Sequence, residues 1–546
     1  MNNHGDSILI LGGGTMQGPA IAASQRLGLI THVADGNAHC PGAATADYFH
    51  HVDLRDLEGL LACAREISQL RGVFTAGTDF SSSVAWITEH LGLPGIPFEV
   101  SRAATHKGIM RDRLAAAGVP VPRYRVIAPD DVSGTRIEEI VHQLTLPVVC
   151  KPVDNMGARG VRRVASWDEI GAAVEESARL SVSNTAIVEE LIPGDEYSLD
   201  ALVIDGVVAI TGVARRHIFF PPWFVELGHT IPAPLSEPEQ SALERTFADA
   251  IRAIGITHGA AKGDIFLASD PHSSVPRVTV GEIAARLSGG YMSGWTYPAS
   301  SGVPLTELGV EIALGRSIDR ARVQPTRRLV SVERAVISAP GVVSHVKIAD
   351  ELGEPPRLNP GEEIFVTCAA GDTVSTPTNN VEKVANIICV GRSVQEAETR
   401  AAYIRSHVAV MLRPHNPTTD RFVFDEGWRG PWAHYELSPE TVRELQQRPM
   451  IEGDLNDLAA LIAAGNPVPI RPLLSDSAGL AGRIAPRHLS VDGVESLDRF
   501  VNNGTIEYAD DAPRADGLFW KAFVSSGLQG VRYMVSCLAT PRGGSA

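Results

Sequence analysis

A chain of 546 residues exceeds what one hydrophobic core organises, so several domains are expected. Hydrophobic residues at 44% against 21% charged supply apolar surface for those cores and exclude a largely disordered chain. The net charge of -16, with no long basic run, excludes nucleic acid and anionic membrane as partners and leaves any phosphate site to local cations.

The opening MNNHGDSILILGGG has a four-residue apolar run, no basic start and no cleavage-like site. No stretch approaches the ~18 apolar residues of a membrane span, so a cytoplasmic location is expected. Residues 7–11 read as a strand, Gly12-Gly13-Gly14 as a turn and residues 19–27 as an amphipathic helix, which together open a doubly wound sheet. Residues 31–36 predict the second strand and residues 72–77 the third, with helices over 57–69 and 83–91 between and after them. The glycine turn places Gln17 where the third glycine of a dinucleotide fingerprint belongs, so it reads as a tight strand-to-helix turn rather than a nicotinamide site.

The run HKGIMRDRLAAAG predicts a helix ended by Gly118, with Pro120 and Pro122 enforcing an extended exit and a domain boundary near residues 100–106. LPVVCKP is a short strand ending in Lys151, followed by the polar loop DNMGARGV. TAIVEELI is a further strand, and the next two strands form a hairpin turning at Asp205-Gly206. Beyond a polar linker at 323–328, GVVSHVKI, EIFVTC and NIICVGR predict strands, and a helix is expected over 394–409. Past residue 415 a helix is expected over 454–464, with no catalytic signature. The six cysteines, Cys40, Cys63, Cys150, Cys368, Cys389 and Cys537, form no C-x-x-C pair and read as reduced, mostly buried thiols.

Lys151 with Gly157, Arg159 and Gly160 could lay backbone N–H groups and two cations around a polyphosphate, although such loops are also common surface turns. Glu189 and Glu190 close a strand and could take an adenine amino group and ribose hydroxyls, or form a solvated acidic edge. Asp264 and Glu282 on neighbouring strands are hard oxygen donors of the kind that magnesium bridging two phosphates requires, and Arg286 stands four residues further on. A guanidinium there could clamp an anionic substrate.

The order Lys107, Lys151 with its glycine loop, Glu189-Glu190-Leu191-Ile192, Glu196, Asp264 and Glu282 to Arg286 resembles the ATP-grasp superfamily over roughly residues 1–410. The resemblance implies that Lys107 and Lys151 contact ATP phosphates, Glu189 and Leu191 read adenine, Glu196 holds the ribose, and Asp264 and Glu282 hold Mg2+, or Mn2+ in its place. The usual Glu-x-Asn-x-Arg motif has Ala284 at its middle position, which leaves one metal ligand missing or supplied by water. EIAARLSGG and FVELGHTIPAP resemble the L-amino-acid ligase branch, in which Glu226 and His229 would lie on a loop facing the substrate.

Glu226 would bind an ammonium group, while His229 would contact the substrate or be structural. Arg215 and Arg216 could add charge over the phosphates or pair with surface carboxylates. The aromatic residues Phe219, Phe220, Trp223 and Phe224 could line a side-chain pocket or pack as a lid. The fold implied is α/β and α+β multidomain: a Rossmann-like domain over 1–105, an ATP-grasp region over 106–322, a closing subdomain over 323–414 and an extension of unassigned role over 415–546.

The reaction implied is ATP-dependent joining of a carboxylic acid to an amine through an acyl phosphate, with small molecules, amino acids among them, as substrates and a homodimer as a further expectation. An ATP-grasp carboxylase or nucleotide-precursor enzyme, which would keep the Asn that Ala284 replaces, and a non-catalytic nucleotide-binding regulator are the alternatives.

Overall fold

Ser7–Leu11 (β1) is buried along its whole length, as expected for a strand covered on both faces, and it is the centre of the first sheet. The computed structural model describes residues 5–131, 136–220, 222–268, 276–349 and 354–424, with Gln529, Gly530, Arg532, Tyr533, Ser536 and Cys537. Around β1 lie Ile30–Asp35 (β2), Tyr48–His51 (β3) and Leu70–Phe74 (β4) in the parallel order β3-β2-β1-β4. The expected third strand is therefore the fourth. β3 escaped the sequence reading because Tyr48-Phe49-His50-His51 is an edge strand without alternating apolar positions. Helices Gly18–Arg26, Leu57–Glu66 and Ser81–Leu91 follow as the apolar spacing requires.

Helix Lys107–Ala116 ends before Gly118, whose φ of +73° is the left-handed conformation that glycine tolerates. Tyr124–Ile127 (β5), Val148–Pro152 (β6), Arg162–Val164 (β7) and Ala186–Glu190 (β8) form an antiparallel sheet in the order β5-β8-β6-β7. Its apolar face, with Val148, Cys150 and Val188, packs on helix Ile170–Arg179.

Asp195–Ile204 (β9) and Val207–Phe219 (β10) form the hairpin turning at Asp205-Gly206. Gly259–Ala268 (β12) and Arg277–Ala284 (β13) continue that sheet in the order β13-β12-β9-β10. The stretch expected as a substrate loop is instead a strand, Val225–Ile231 (β11).

Period-two alternation divides β9 and β12: Tyr197, Leu199, Ala201, Ala261 and Ile265 enter the core against helix Glu237–Ile254, and Glu196, Ser198, Asp200, Lys262 and Asp264 alternate with them. That alternation places the chemistry on one face.

The chain forms two compact units, one of residues 1–217 and 228–331 and one of residues 218–227 and 332–546. Val330–Val336 (β14), which enters the second unit at Val332, Ala385–Gly391 (β18) and Glu363–Val366 (β16) run in the order β14-β18-β16. Thr373–Val374 (β17), Gly341–Ile348 (β15) and Val408–Leu412 (β19) form a separate sheet beside helix Val394–His407. The helix expected over 454–464 lies outside the described residues.

Candidate active site on a charged sheet face

β12 and β13 are antiparallel, and their register sets Asp264 opposite Glu282 and Lys262 opposite Ala284. Asp264 is 5% exposed and keeps Oδ2 against the Lys262 ammonium and, at 3.1 Å, against Arg216 Nη1. Its Oδ1 is buried and has no hydrogen-bond partner among the described residues. Arg216 also pairs with Glu196.

Glu282 Oε1 lies 3.2 Å from Lys107 Nζ, at the start of its helix, and Lys107 also donates to the Asn155 carbonyl at 2.9 Å. Burial works against the charged form of Glu282, but Lys107, Lys262, Lys151 and Arg286 override it and hold the carboxyl well below the usual range. Burial likewise opposes a charge on Lys107, yet Glu282 and Asp79 raise its pKa above the ordinary lysine value.

One turn after Lys107 stands Arg111, fully buried. Its Nε and Nη2 lie 2.7 and 3.1 Å from the two oxygens of Glu189, and Nη2 donates to the Gly281 carbonyl at 2.6 Å. Lys151 Nζ meets Glu189 Oε2 at 2.6 Å, and burial pushes the Lys151 ammonium below its usual pKa. Glu189 thus anchors two cations, which the sequence reading did not anticipate. Arg111 was missed, although its i+4 spacing from Lys107 was available as a signal.

Arg286 follows β13. Its Nε and Nη2 lie 3.2 and 2.7 Å from Asp79 Oδ1, and its Nη1 donates to the Leu287 carbonyl at 3.2 Å. The following loop is held by Asp200, fully buried, which accepts from the Ser288 N–H at 2.9 Å and from the Ser288 hydroxyl. Burial pushes the Asp200 carboxyl up to about 6, against those two bonds.

The loop after Lys151 has Gly157 and Gly160 at φ +70° and +74°, where a side chain would strain the backbone. Arg159 folds back, its Nε donating to the Met156 carbonyl at 3.1 Å.

Lys107, Lys151, Glu189, Glu196, Asp264, Glu282 and Arg286 belong to this network or lie in its field. Glu190 does not: it points to the other side of its strand, pairs with Arg123 and accepts from the Thr145 N–H at 2.7 Å. Leu191 gives its N–H to the Pro147 carbonyl. Arg215 pairs with the exposed Asp195 at 2.9 Å, the surface alternative. His229 is fully buried with Nε2 2.7 Å from Thr296 Oγ1.

Glu226 falls in the second unit, where its N–H donates to Asn380 Oδ1 at 2.7 Å and its carbonyl accepts from Lys383 Nζ at 3.0 Å. Nearby Glu333 is 1% exposed, and burial pushes its carboxyl up to about 7, with Lys383 opposing and Glu226 adding to the rise.

The donor chemistry fits a magnesium ion: hard carboxylates from adjacent strands, with one buried oxygen left over on Asp264. Among the described residues no group of three His, Cys, Asp or Glu side chains could hold a metal, so an ion here would take two side-chain carboxylates at most.

Residues 144–274 match the ATP-grasp domain, and residues 334–413 match the L-amino acid ligase C-terminal domain 2. A D-alanine–D-alanine ligase of Aromatoleum aromaticum is 29% identical over 159 residues, which are 29% of this chain and 49% of that protein. The chain spans about half the length of the curated relatives it matches.

The solved L-amino acid ligase from Bacillus licheniformis superposes with a TM-score of 0.62 at 20% identity, over 75% of this chain and 99% of that one. Phosphoribosylglycinamide synthetase from Anaerococcus prevotii does so at 0.59 and 19%, over 75% and 100%. These two structural likenesses carry the fold alone.

Proposed function

Because the chain is an ATP-grasp protein with an L-amino-acid-ligase C-terminal domain, we propose that it is an ATP-dependent carboxylate–amine ligase. Its acid substrate is an amino acid or similar small acid, and its product carries a new amide bond. The observation that supports this most is the contact of Lys107 with Glu282 and the strand register of Glu282 with Asp264, which joins a phosphate-binding cation to a metal-binding carboxylate pair.

In this reading Lys107 and Lys151 hold phosphate oxygens of ATP, with the loop from Gly157 to Gly160 closing over them. Asp264 and Glu282 would hold Mg2+, which when bound supplies positive charge against the phosphates of ATP. Arg286, oriented by Asp79, holds the substrate carboxylate beside the γ-phosphate. The carboxylate oxygen takes the γ-phosphoryl group and ADP leaves. The amine then attacks the carbonyl carbon, expels phosphate and loses a proton, with no protein nucleophile. Exclusion of water protects the acyl phosphate.

The test is release of ADP and phosphate with ATP and a panel of amino acids, with the products weighed by mass spectrometry. Amino-acid-dependent release and a product lighter by one water than its two substrates are expected. Dependence on bicarbonate would mark a carboxylase instead, and ATP binding without turnover on any acid would mark a regulator.

A further inference from the structure

We infer that Lys262 occupies the place of a second metal ion on the charged face, so that the site takes one divalent cation where its geometry otherwise invites two. The inference rests on the ligase reading above and concerns how that site balances charge. Two cross-strand pairs stand side by side on one face of β12 and β13: Asp264 opposite Glu282, and Lys262 opposite Ala284.

The second pair faces the position where a side-chain oxygen at residue 284 would extend the donor set. Ala284, 3% exposed, supplies no oxygen, and the residue opposite it supplies a cation. The Lys262 side chain is 9% exposed, and its ammonium lies against Asp264 Oδ2. Arg216 Nη1 approaches the same oxygen at 3.1 Å.

Paired magnesium ions in phosphoryl-transfer sites sit about 3.5–4 Å apart, and each needs a protein oxygen of its own or a shared carboxylate. Here Asp264 Oδ2 is covered by two cations and Glu282 Oε1 lies 3.2 Å from the Lys107 ammonium, so Asp264 Oδ1 and the second oxygen of Glu282 remain. That set holds one ion. A lysine ammonium is a compact point charge and can neutralise phosphate oxygens as a second ion would. Asp200, opposite Lys262 on β9, is engaged by Ser288 and gives no further ligand.

The experiment counts Mn2+ bound per bound AMP-PNP, by electron paramagnetic resonance on the full chain. The wild type is expected to bind one ion, as are Lys262→Arg and Ala284→Asn, since each keeps a cation opposite residue 284. The double variant Lys262→Met, Ala284→Asn is expected to bind two, its fold checked by thermal melting.

Two ions in the wild type or in Ala284→Asn alone would overturn the inference and leave the ligase reading intact, as would one ion in a folded double variant that binds the nucleotide. A wild type that binds no AMP-PNP would overturn the ligase reading itself and this inference with it. The wild-type and Ala284→Asn counts decide the matter even if the double variant does not fold.

Discussion

Two glycine-bearing turns leave strand ends in the first unit, and only the second is shown bonded to a cation of the charged face. After β1, Gly13 gives its N–H to Asp35 Oδ2 at 2.7 Å and its carbonyl accepts from the Gly42 N–H, while the Gln17 amide lies against Gly12 and donates to the Ala76 carbonyl at 2.6 Å. After β6, the loop containing Gly157 and Gly160 follows Lys151 and gives a carbonyl, that of Asn155, to Lys107.

Both turns spend polar groups on their own neighbours, but the second also lends the Asn155 carbonyl to the ammonium of Lys107, which pairs with Glu282. A glycine motif therefore says less about ligands than what fills it.

If the second region owes its order to buried charge pairing, its largest sensitivity is at Arg111. Arg111→Met leaves Glu189 with Lys151 as its one remaining cation in a site closed to water. Removing one partner of a buried pair costs about 3–5 kcal/mol, and urea unfolding is expected to show a loss of that order. A change below about 1 kcal/mol would mean that Glu189 is not held by this pairing.

Arg286→Ala tests the chemistry rather than the fold. Loss of one preorganised donor to developing charge costs about 10²–10³ in kcat, and ATP turnover is expected to fall by at least that much. Asp79 and the Leu287 carbonyl lose only a partly buried partner, so the unfolding midpoint should move much less than for Arg111→Met. Full turnover would remove Arg286 from the site.

Asp200 gives the charged face a pH signature. Its folded pKa is raised from 3.8 to about 6, so the folded state holds the proton more tightly than the unfolded chain does. The stabilisation is fully present below about pH 3.8 and is lost as pH rises through about 6, a span worth about 3 kcal/mol. The stability difference between wild type and Asp200→Asn, followed by urea unfolding from pH 3.5 to 7, is expected to shift by roughly that amount in favour of the variant. A difference independent of pH would place the Asp200 titration elsewhere.

The fold of the first unit was largely legible because its signals are local. The apolar run of β1, the Asp205-Gly206 hairpin and the helix before Gly118 are each specified by adjacent residues. The strand positions of Asp264 and Glu282 followed from apolar periodicity in the same way.

What stayed hidden depends on pairing across the chain. Arg111 and Glu189 are 78 residues apart and Arg286 and Asp79 are 207 apart, and neither spacing carries a sequence signal. The partner of Ala284 could be read only once the register of β12 and β13 was known. The substrate loop expected at Glu226 and His229 rests on the resemblance of FVELGHTIPAP to the L-amino-acid ligases; the segment is the strand β11, within which Gly228 adopts φ +150°.

The smallest effect is expected at the first turn, where it is also the most diagnostic. Gln17 is 2% exposed, and its one described side-chain hydrogen bond closes the turn onto Ala76. Gln17→Ala removes that bond and leaves the Ala76 carbonyl short of a donor, a cost of about 1 kcal/mol by thermal or urea unfolding. Turnover of ATP should be unchanged, because Gln17 makes no described contact with Lys107, Lys151, Asp264, Glu282 or Arg286. If turnover fell together with stability, the first turn would be part of the reacting site and the contrast between the two turns would fail. Unchanged turnover with a small stability loss means that Gln17 serves the turn itself and not the reacting site.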